Sequence, residues 1–378
     1  MAKCRRHPYM VVMPFDDRDH PSHEPTPSET ALRNRRLVSG WLFAVSFMIL
    51  VMIVLGGTTR LTGSGLSIME WDPVSGILPP LSHAEWERLY ALYKQIPQYA
   101  LLHDGFGLAD FQRIFWLEWV HRLWGRLMGV VFFAPLVWLW WRGAIERRLL
   151  PRLVGFFVLG GLQGAVGWFM VSSGFFADST AVAPSRLVVH LALALALYAA
   201  IVWTALSIRR PVAEGGHPAW LRRLAGSTLA LVALTIVAGG YVAGLHAGLA
   251  YNSFPLMEGH LVPPSYLALA PFWRNLTQNV AAVQFDHRLL ATLTAVLALL
   301  TAGFGVARSR SRGARRAFLA LGGVLCVQYA LGVATLLSVV AIPLAAAHQL
   351  VAALLLTAAL VCVHALRRRT PSVQDYSK

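Results

Sequence analysis

The sequence predicts an all-α polytopic membrane protein whose eight transmembrane helices form two parallel, pseudo-symmetric four-helix bundles. Three observations lead to this fold class. Hydrophobic residues make up 56% of the 378 residues and charged residues only 13%, about half the charged share of an average soluble domain. Apolar stretches of membrane-spanning length recur along the chain, and motifs of the first half return in order in the second. This composition excludes a soluble globular enzyme and a disordered chain.

The apolar stretches are each long enough to cross about 30 Å of hydrocarbon as a helix. Helices are expected because backbone polar groups inside a bilayer must find their hydrogen bonds within the protein. The predicted spans are 37–58, 119–141, 153–172, 184–208, 220–245, 281–306, 317–338 and 343–366. The segment before the first span, 1–36, mixes both charge signs with proline and predicts a disordered tail; a second tail is predicted at 369–378.

The basic residues predict the orientation of these spans. Lys and Arg concentrate in alternate segments, namely 1–36, 142–152, 209–223, 307–316 and 367–378. The positive-inside rule places such segments in the cytoplasm, so both termini are expected there and the loops near 60–116 and 246–279 outside. The net charge of +15 is therefore interpreted as a topological signal, and no nucleic-acid partner is expected.

An internal repeat relates the two halves of the chain. The segment GGTTRLTGSGL at 56–66 matches GGYVAGLHAGL at 239–249, and EWVHRL at 118–123 matches QFDHRL at 284–289. LQGAVG at 162–167 likewise matches VQYALG at 327–332. Four spans are an even number, so both copies cross the membrane in the same direction as a parallel repeat. The predicted units are an N-terminal half, 37–210, and a C-terminal half, 211–368.

Four of the 13 histidines occupy equivalent positions in this repeat: His121, His190, His287 and His348. All lie on even-numbered spans, within about two turns of the outer end. One histidine on an apolar helix is more often a hydrogen-bonded core residue, but four symmetric ones favour a function, because polar groups inside a membrane are costly. The sequence therefore predicts one pair in each half, His121 with His190 and His287 with His348.

Two facing imidazoles fit the axial ligands of a b-type haem in a helical bundle. Zinc needs further N, S or O ligands, and copper would lack a sulfur ligand here. Small residues suit close packing beside a haem, although helix packing alone also explains them; they are Gly160, Gly161, Gly164, Gly167 and Gly332. Arg122 and Arg288, each after a histidine, are candidate propionate contacts, with interfacial snorkelling as the alternative. His246 and the three cysteines, Cys4, Cys326 and Cys362, receive no predicted role.

One asymmetry between the halves suggests chemistry. Glu118 stands three residues before His121, whereas Gln284 occupies the equivalent position before His287. Residues at i and i+3 share a helix face, so Glu118 is expected beside the ligand of His121. A carboxylate there can act as a base, bind water or stabilise positive charge; a solvated interfacial Glu is the alternative. We therefore predict a reaction site in the N-terminal half and an electron-relay haem in the C-terminal half.

The motifs GGTTRLTGSGLSIMEWDPVSGILPP at 56–80 and EWVHRLWGR at 118–126, with the later histidines, resemble the haem A synthase family. The resemblance implies oxidation of the C8 methyl of haem O to a formyl group, which gives haem A for cytochrome oxidase. It implies that His121 and His190 ligate the substrate haem, that Glu118 is the essential acidic residue and so the predicted catalytic residue, and that His287 and His348 ligate a resident haem b. No cysteine occurs between 4 and 326, so the chain resembles the branch lacking a cysteine pair in the outer loop.

The resemblance also sets expectations for location and partners. A multi-pass protein of the bacterial inner membrane is favoured over one of the mitochondrial inner membrane. Expected partners are membrane lipid, an unidentified electron acceptor, haem O synthase and oxidase assembly factors. The main alternative is a di-haem b cytochrome that carries electrons without chemistry on haem. A transporter built from parallel repeats is a third interpretation, which would favour polar groups near the bilayer midplane.

Overall fold

The protein is a bundle of long apolar helices. The structure, a computed structural model, describes residues 28–177, 179–209, 217–309 and 311–367. Within these ranges eight helices are long and apolar enough to cross a membrane, and an isolated bridge between Met257 and His260 is the sole β-pairing. The predicted all-α multi-pass fold is therefore confirmed, while its division into two symmetric bundles stays a prediction.

The membrane-length helices differ from the predicted spans mainly at their ends. Three short helices, α2 (His83–Tyr93), α3 (Pro97–Leu102) and α8 (Asn275–Gln278), lie in the outer loops. The membrane-length helices are α1 (Glu29–Leu61), α4 (Leu108–Trp141), α5 (Leu150–Val171), α6 (Pro184–Arg209), α7 (Ala219–Gly244), α9 (Val280–Arg308), α10 (Arg312–Leu337) and α11 (Ile342–Ala365).

Helix α1 begins earlier than its hydropathy suggests. It starts at Glu29, so residues 29–36, which the sequence placed in the disordered tail, are helical. The hydroxyl of Ser28 accepts a hydrogen bond from the Ala31 amide, and Glu29 lies in the first turn, where a negative charge suits the helix dipole. Residues 1–27 and the tail at 369–378 lie outside the described ranges.

Helix α4 also starts well before its predicted span. Its first turns carry Phe111 and Phe115, which pack with Tyr93 in a small core beneath the outer loop. Because those turns pack against protein rather than lipid, they do not have the continuous apolar sequence that predicts a membrane span. His121 consequently lies in the fourth turn of its helix, deeper along it than the two turns expected from the sequence.

The helix contacts of the two halves correspond. In the first half α1 contacts α4 and α6, and α5 contacts both α4 and α6. In the second half α7 contacts α9 and α11, and α10 contacts both α9 and α11. Between the halves α1 contacts α11, and α6 contacts both α7 and α11. One large apolar core, which includes Leu42, Tyr198 and Phe318, extends through both halves.

Small residues bring the two halves into contact where α7 ends and α6 begins. A Cβ at Gly244 of α7 would lie 2.8 Å from the Cα of Pro184 in α6. A Cβ at Gly240 would lie 3.1 Å from the side chains of Val188 and Leu191. Deeper in the bundle, the Tyr198 hydroxyl and Thr357 Oγ1 are 2.7 Å apart, joining α6 to α11. Such close approach is how membrane helices pack when burial of apolar surface gives no advantage.

Candidate functional site

Each predicted histidine lies against a glycine of another helix. A Cβ at any of these glycines would lie about 3 Å from Cε1 of the facing imidazole, closer than ordinary contacts allow. The pairs are Gly56–His121 (3.1 Å), Gly167–His190 (3.0 Å), Gly239–His287 (2.9 Å) and Gly332–His348 (3.0 Å). Each of the four histidines therefore packs against a glycine. Two of these glycines, Gly56 and Gly239, are the first residues of the repeated GG motif.

All four histidine side chains are half-buried. The pairing of His121 with His190 and of His287 with His348 stays a prediction. In the described ranges no three His, Cys, Asp or Glu side chains gather as a metal site. Each site thus offers two imidazoles, the donor set of a six-coordinate haem rather than that of structural zinc. Iron ligation by these pairs stays a prediction.

Two glutamines beside the second histidine of each pair were missed by the sequence argument. The amide of Gln163 donates to the His190 carbonyl at 2.9 Å, and its Nε2 lies 3.1 Å from His190 Nδ1. Nε2 of Gln328 lies 3.5 Å from Nε2 of His348. Each glutamine lies one turn before the glycine that contacts the same imidazole. The recurrence of this glutamine in the repeated motifs LQGAVG and VQYALG is the sequence feature that could have identified it.

The residues fit a haem at each pair. Glycine removes the side chain that would crowd the imidazole, and two nitrogen ligands on separate helices suit a planar macrocycle held between them. A Cβ would meet no heavy atom of another helix within 4 Å at three of the predicted glycines, Gly160, Gly161 and Gly164. Of the small residues predicted to serve the site, Gly167 and Gly332 are those that contact a histidine.

Glu118 is buried and accepts five hydrogen bonds. Its Oε2 accepts from the Ser67 amide at 2.8 Å, the Ser67 hydroxyl at 2.7 Å and the Ile68 amide at 3.0 Å. Its Oε1 accepts from Nε and Nη2 of Arg122 at 3.1 and 2.7 Å. A carboxylate has about four lone-pair sites, so these contacts occupy its capacity. Glu118 therefore ties the outer loop to α4 one turn before His121.

Gln284 performs the same attachment with opposite polarity. Its Nε2 donates to the carbonyls of Ala247 and Ala250 at 2.7 and 2.6 Å. Its Oε1 accepts from Arg288 at 3.0 Å. In the repeat, Ala250 corresponds to Ser67, so both halves fasten the same stretch of loop. The difference between Glu118 and Gln284 thus matches a difference between the loops. In the first half the loop presents N–H groups that donate, and in the second half it presents carbonyls that accept.

The two arginines also hold the loops. Arg122 donates to the carbonyls of Ile68 and Glu70, each at 2.8 Å. Arg288 donates to the carbonyls of Tyr251 and Ser253 at 2.6 and 2.9 Å. Four of the five N–H groups of Arg122 are therefore engaged with Glu118 or the loop, and three of the five of Arg288 with Gln284 or the loop. The propionate contacts of these two arginines stay a prediction.

The first outer loop covers the region between α4 and α5. The ring of Trp71 stacks on that of Trp168, with centroids 6.1 Å apart. Trp168 follows Gly167, the residue against His190, and the Arg122 guanidinium lies 5.6 Å from its ring centroid. Farther out, Arg88 bonds Glu70 and lowers the pKa of that carboxyl. The loop is therefore attached to α4 at Arg122, the neighbour of His121, and to α5 at Trp168, the neighbour of Gly167.

Asp286, His246 and the cysteines have other surroundings. Asp286 accepts a hydrogen bond from the Tyr266 hydroxyl at 2.7 Å, which raises the pKa of Tyr266 to about 12. His246 has a φ of 53° just beyond the end of α7. Cys326 is exposed and Cys362 is buried, both without a disulfide, and Cys4 lies outside the described ranges.

Known proteins are similar over nearly the whole chain. The family described as "Cytochrome oxidase assembly protein" matches residues 39–360. A protein of Granulibacter bethesdensis named "Heme A synthase" is 60% identical over 354 residues, which cover 93% of this chain and 92% of the relative. "Heme A synthase 2" of Acidiphilium cryptum is 48% identical over 342 residues, 89% of this chain and 93% of the relative.

A third relative, named "Heme A synthase", comes from Rhodospirillum centenum. It is 48% identical over 335 residues, which cover 88% of this chain and 89% of the relative. The family match includes all four helix pairs that place a glycine against a histidine. The chain belongs to the haem A synthase family of cytochrome oxidase assembly proteins.

Proposed function

We propose that this protein is a haem A synthase that oxidises the C8 methyl of haem O to a formyl group, an oxidoreductase reaction that supplies haem A to cytochrome oxidase. The names of the relatives support the activity. The observation that carries the proposal is the asymmetry between otherwise matched sites. Both halves hold two histidines against two glycines, yet Glu118 in one half stands where the other has Gln284.

In this proposal His121 and His190 hold the substrate haem O, and His287 and His348 hold a resident haem b. A bound haem b supplies one-electron redox chemistry through its iron. The imidazoles fix the macrocycle, and the facing glycines leave room for it. Gln163 and Gln328 orient the second histidine of each pair by contacting its backbone or ring.

The substrate methyl undergoes two successive oxidations, each of which removes two electrons and two protons and adds the oxygen of one water molecule. The first gives an alcohol, and the second gives a hydrated aldehyde that loses water to form the formyl group. The electrons go to an acceptor that is not part of the chain. The contacts of Glu118 favour a positioning role over that of a base, because five donors already occupy its oxygens. By fixing Ser67 and Ile68 it holds in place the loop that carries Trp71.

The proposed location is the bacterial inner membrane, with both termini in the cytoplasm and the two long loops outside. The relatives are bacterial proteins, and eight apolar helices cross the membrane an even number of times. In this orientation the loop over the first pair faces the outer side. Haem O synthase and oxidase assembly factors are the proposed protein partners.

Identification of the bound haems tests the function. We expect purified protein from cells that make haem O to yield haem b together with haem O, its alcohol or haem A on chromatography of the extract. Haem b alone, at two per chain, would instead support the alternative function, a di-haem cytochrome. The observation that favours this alternative is that both halves have the same glycine–histidine pairs.

A further inference from the structure

A cavity of about 350 Å³ lies where α1 begins and α6 ends. Its lining consists of Leu32, Arg35 and Arg36 of α1 with Ile208 and Arg209 of α6. Arg36 lies about 30 Å along α1 from Gly56, the glycine that contacts His121. The cavity is therefore at the opposite end of the first half from its predicted histidine pair.

The lining of this cavity is cationic. It contains three arginines and no acidic side chain. Arg35 forms an ion pair at 3.5 Å with Glu146, whose other oxygen accepts a hydrogen bond from a second arginine outside the cavity. The side chains of Arg36 and Arg209 are exposed and have no hydrogen bond or ion pair with any residue that the structure describes. Glu29, two turns before Arg36 on the same face of α1, does not line the cavity. The charge of the site therefore favours an anionic ligand.

Apolar surface adjoins these arginines. Leu32 and Ile208 belong to the lining itself, and Leu32 is 43% exposed. Farther along α1, Phe43 and Phe47 are exposed as well, at i+7 and i+11 from Arg36, so they continue the same helix face. An exposed apolar face on a helix of membrane-spanning length lies against lipid chains. A ligand with an anionic head and apolar chains fits both surfaces, whereas a small soluble anion fits only the first.

The arginines also lie at the level of lipid headgroups. Arg36 immediately precedes the apolar stretch 37–58, and Arg209 immediately follows the apolar stretch 184–208. The cavity is therefore at the boundary between hydrocarbon and water, on the side proposed to face the cytoplasm. Basic pockets between membrane helices on that side are suited to the headgroups of anionic lipids.

The second half has no equivalent set of free arginines among its described residues. The repeat places Ala219 opposite Arg36, and Arg367 opposite Arg209. The guanidinium of Arg367 donates to the carbonyl of His364 at 3.0 Å. The positive-inside rule explains why basic residues occur on this side. It does not explain why two of them line one cavity without an acidic partner.

We propose that this cavity binds the phosphate of an anionic phospholipid. Arg36 and Arg209 donate charge-assisted hydrogen bonds to the phosphate oxygens, and the acyl chains lie along the face of α1 that carries Phe43 and Phe47. The bound lipid joins the start of α1 to the end of α6. This site is independent of the haem chemistry proposed above, so either proposal can fail without the other.

The experiment measures lipid binding by the purified full-length protein in detergent, with native mass spectrometry as the readout. The probes are dioleoyl phosphatidylglycerol, which is anionic, and dioleoyl phosphatidylcholine, which has the same chains but no net charge. The test variant is Arg36→Gln with Arg209→Gln. The control, Arg315→Gln with Arg316→Gln, removes the same charge from exposed arginines of α10 that lie outside the cavity. Circular dichroism melting curves verify that each variant is folded.

We expect wild type and control to bind phosphatidylglycerol at least about tenfold more tightly than phosphatidylcholine, the value of one hydrogen bond to a charged group. In the test variant the preference should fall towards one, with phosphatidylcholine binding unchanged. Inorganic phosphate in excess should not displace the lipid, because it has no acyl chains.

Three results would overturn the proposal. A folded test variant that keeps the full preference would show that these arginines do not bind the headgroup. An equal loss of preference in the control would reveal a general effect of net charge rather than a site. Displacement of phosphatidylglycerol by inorganic phosphate would assign the cavity to a soluble phosphate instead of a lipid.

Discussion

At the scale of single residues, glycine determines how closely a histidine ring approaches the neighbouring helix. Any Cβ at Gly56, Gly167, Gly239 or Gly332 would press on an imidazole at about 3 Å. Interiors are packed densely enough that such a contact displaces the ring or the helix. The glycines are therefore as much part of each site as the histidines, and substitutions there test the sites without removing a ligand.

We expect Gly239→Ala to reduce the haem b content of the purified protein, because the new methyl would lie 2.9 Å from His287 Cε1. Haem b per chain is measured by the pyridine haemochrome spectrum. Gly226→Ala on the same helix is the control, since its Cβ meets no other heavy atom within 4 Å. Equal haem b loss in both variants would show that general destabilisation of α7, rather than the His287 contact, causes the effect.

Replacement of His287 by Leu should abolish resident haem b, since only one ligand of the second pair would remain. The spectrum of the reduced protein and the extracted haem would both report the loss. His246→Leu serves as control, because that histidine lies beyond the end of α7. Undiminished haem b in the His287 variant would refute the assignment of the second pair.

Glu118→Gln should retain haem b yet accumulate haem O or its alcohol, with haem A reduced at least about tenfold. The new amide group would face donors, either Ser67 and Ile68 or Arg122, and each lost bond to a charged group costs about 1.5–3 kcal/mol. Chromatography of extracted haems measures the outcome. Glu87→Gln, which changes an exposed side chain of α2, is the matched control. Normal haem A from the Glu118 variant would exclude a role in the reaction.

At the scale of elements, the chain has the same backbone conformation just after α1 and just after α7, although the residues there differ. Gly63 has a φ of 68° beyond α1, and His246 has a φ of 53° beyond α7. The two positions are equivalent in the repeat. Glycine adopts this left-handed region freely, whereas other residues do so at a cost of about 1–2 kcal/mol. The conformation follows from how the helix ends, and His246 retains it without a glycine.

This difference predicts opposite effects of two substitutions on thermal stability. His246→Gly should raise the free energy of unfolding by up to about 1 kcal/mol, because strain is removed, and Gly63→Ala should lower it by about 1 kcal/mol. Melting in detergent, followed by circular dichroism, measures both. Gly40→Ala in α1 is the control for Gly63, since it has open space around it and an ordinary helical backbone. Destabilisation by His246→Gly would indicate that the imidazole itself holds α7 in place.

At the scale of the whole molecule, one arrangement of helix contacts serves two different sites. The pairs α1 with α4 and α7 with α9 each place a glycine against a histidine. The loop attachments are equivalent in position but opposite in polarity, with Glu118 accepting and Gln284 donating. The two halves thus keep the same packing while a few residues that attach the loops differ between them.

The proposed orientation of the molecule predicts which surfaces a reagent outside the cell reaches. In a cysteine-free background, Leu261→Cys in the second outer loop should react with a membrane-impermeant maleimide in intact cells, since this side chain is 73% exposed. Arg148→Cys, between α4 and α5, should react only after the membrane is opened, although its side chain is 83% exposed. The reverse pattern would place the termini outside.

The sequence alone determined the eight spans, the repeat and the four histidines, because hydropathy, charge asymmetry and repeated motifs are local patterns. It also identified Glu118 as the residue that differs. Only the tertiary structure placed a glycine against each histidine and brought Gln163 and Gln328 into contact with His190 and His348. It also showed that Arg122 bonds the loop. It also showed α1 and α4 extending beyond their apolar spans. Those facts depend on which helices become neighbours and on how the outer loops fold back, and contacts between distant segments leave no periodic signal in the chain.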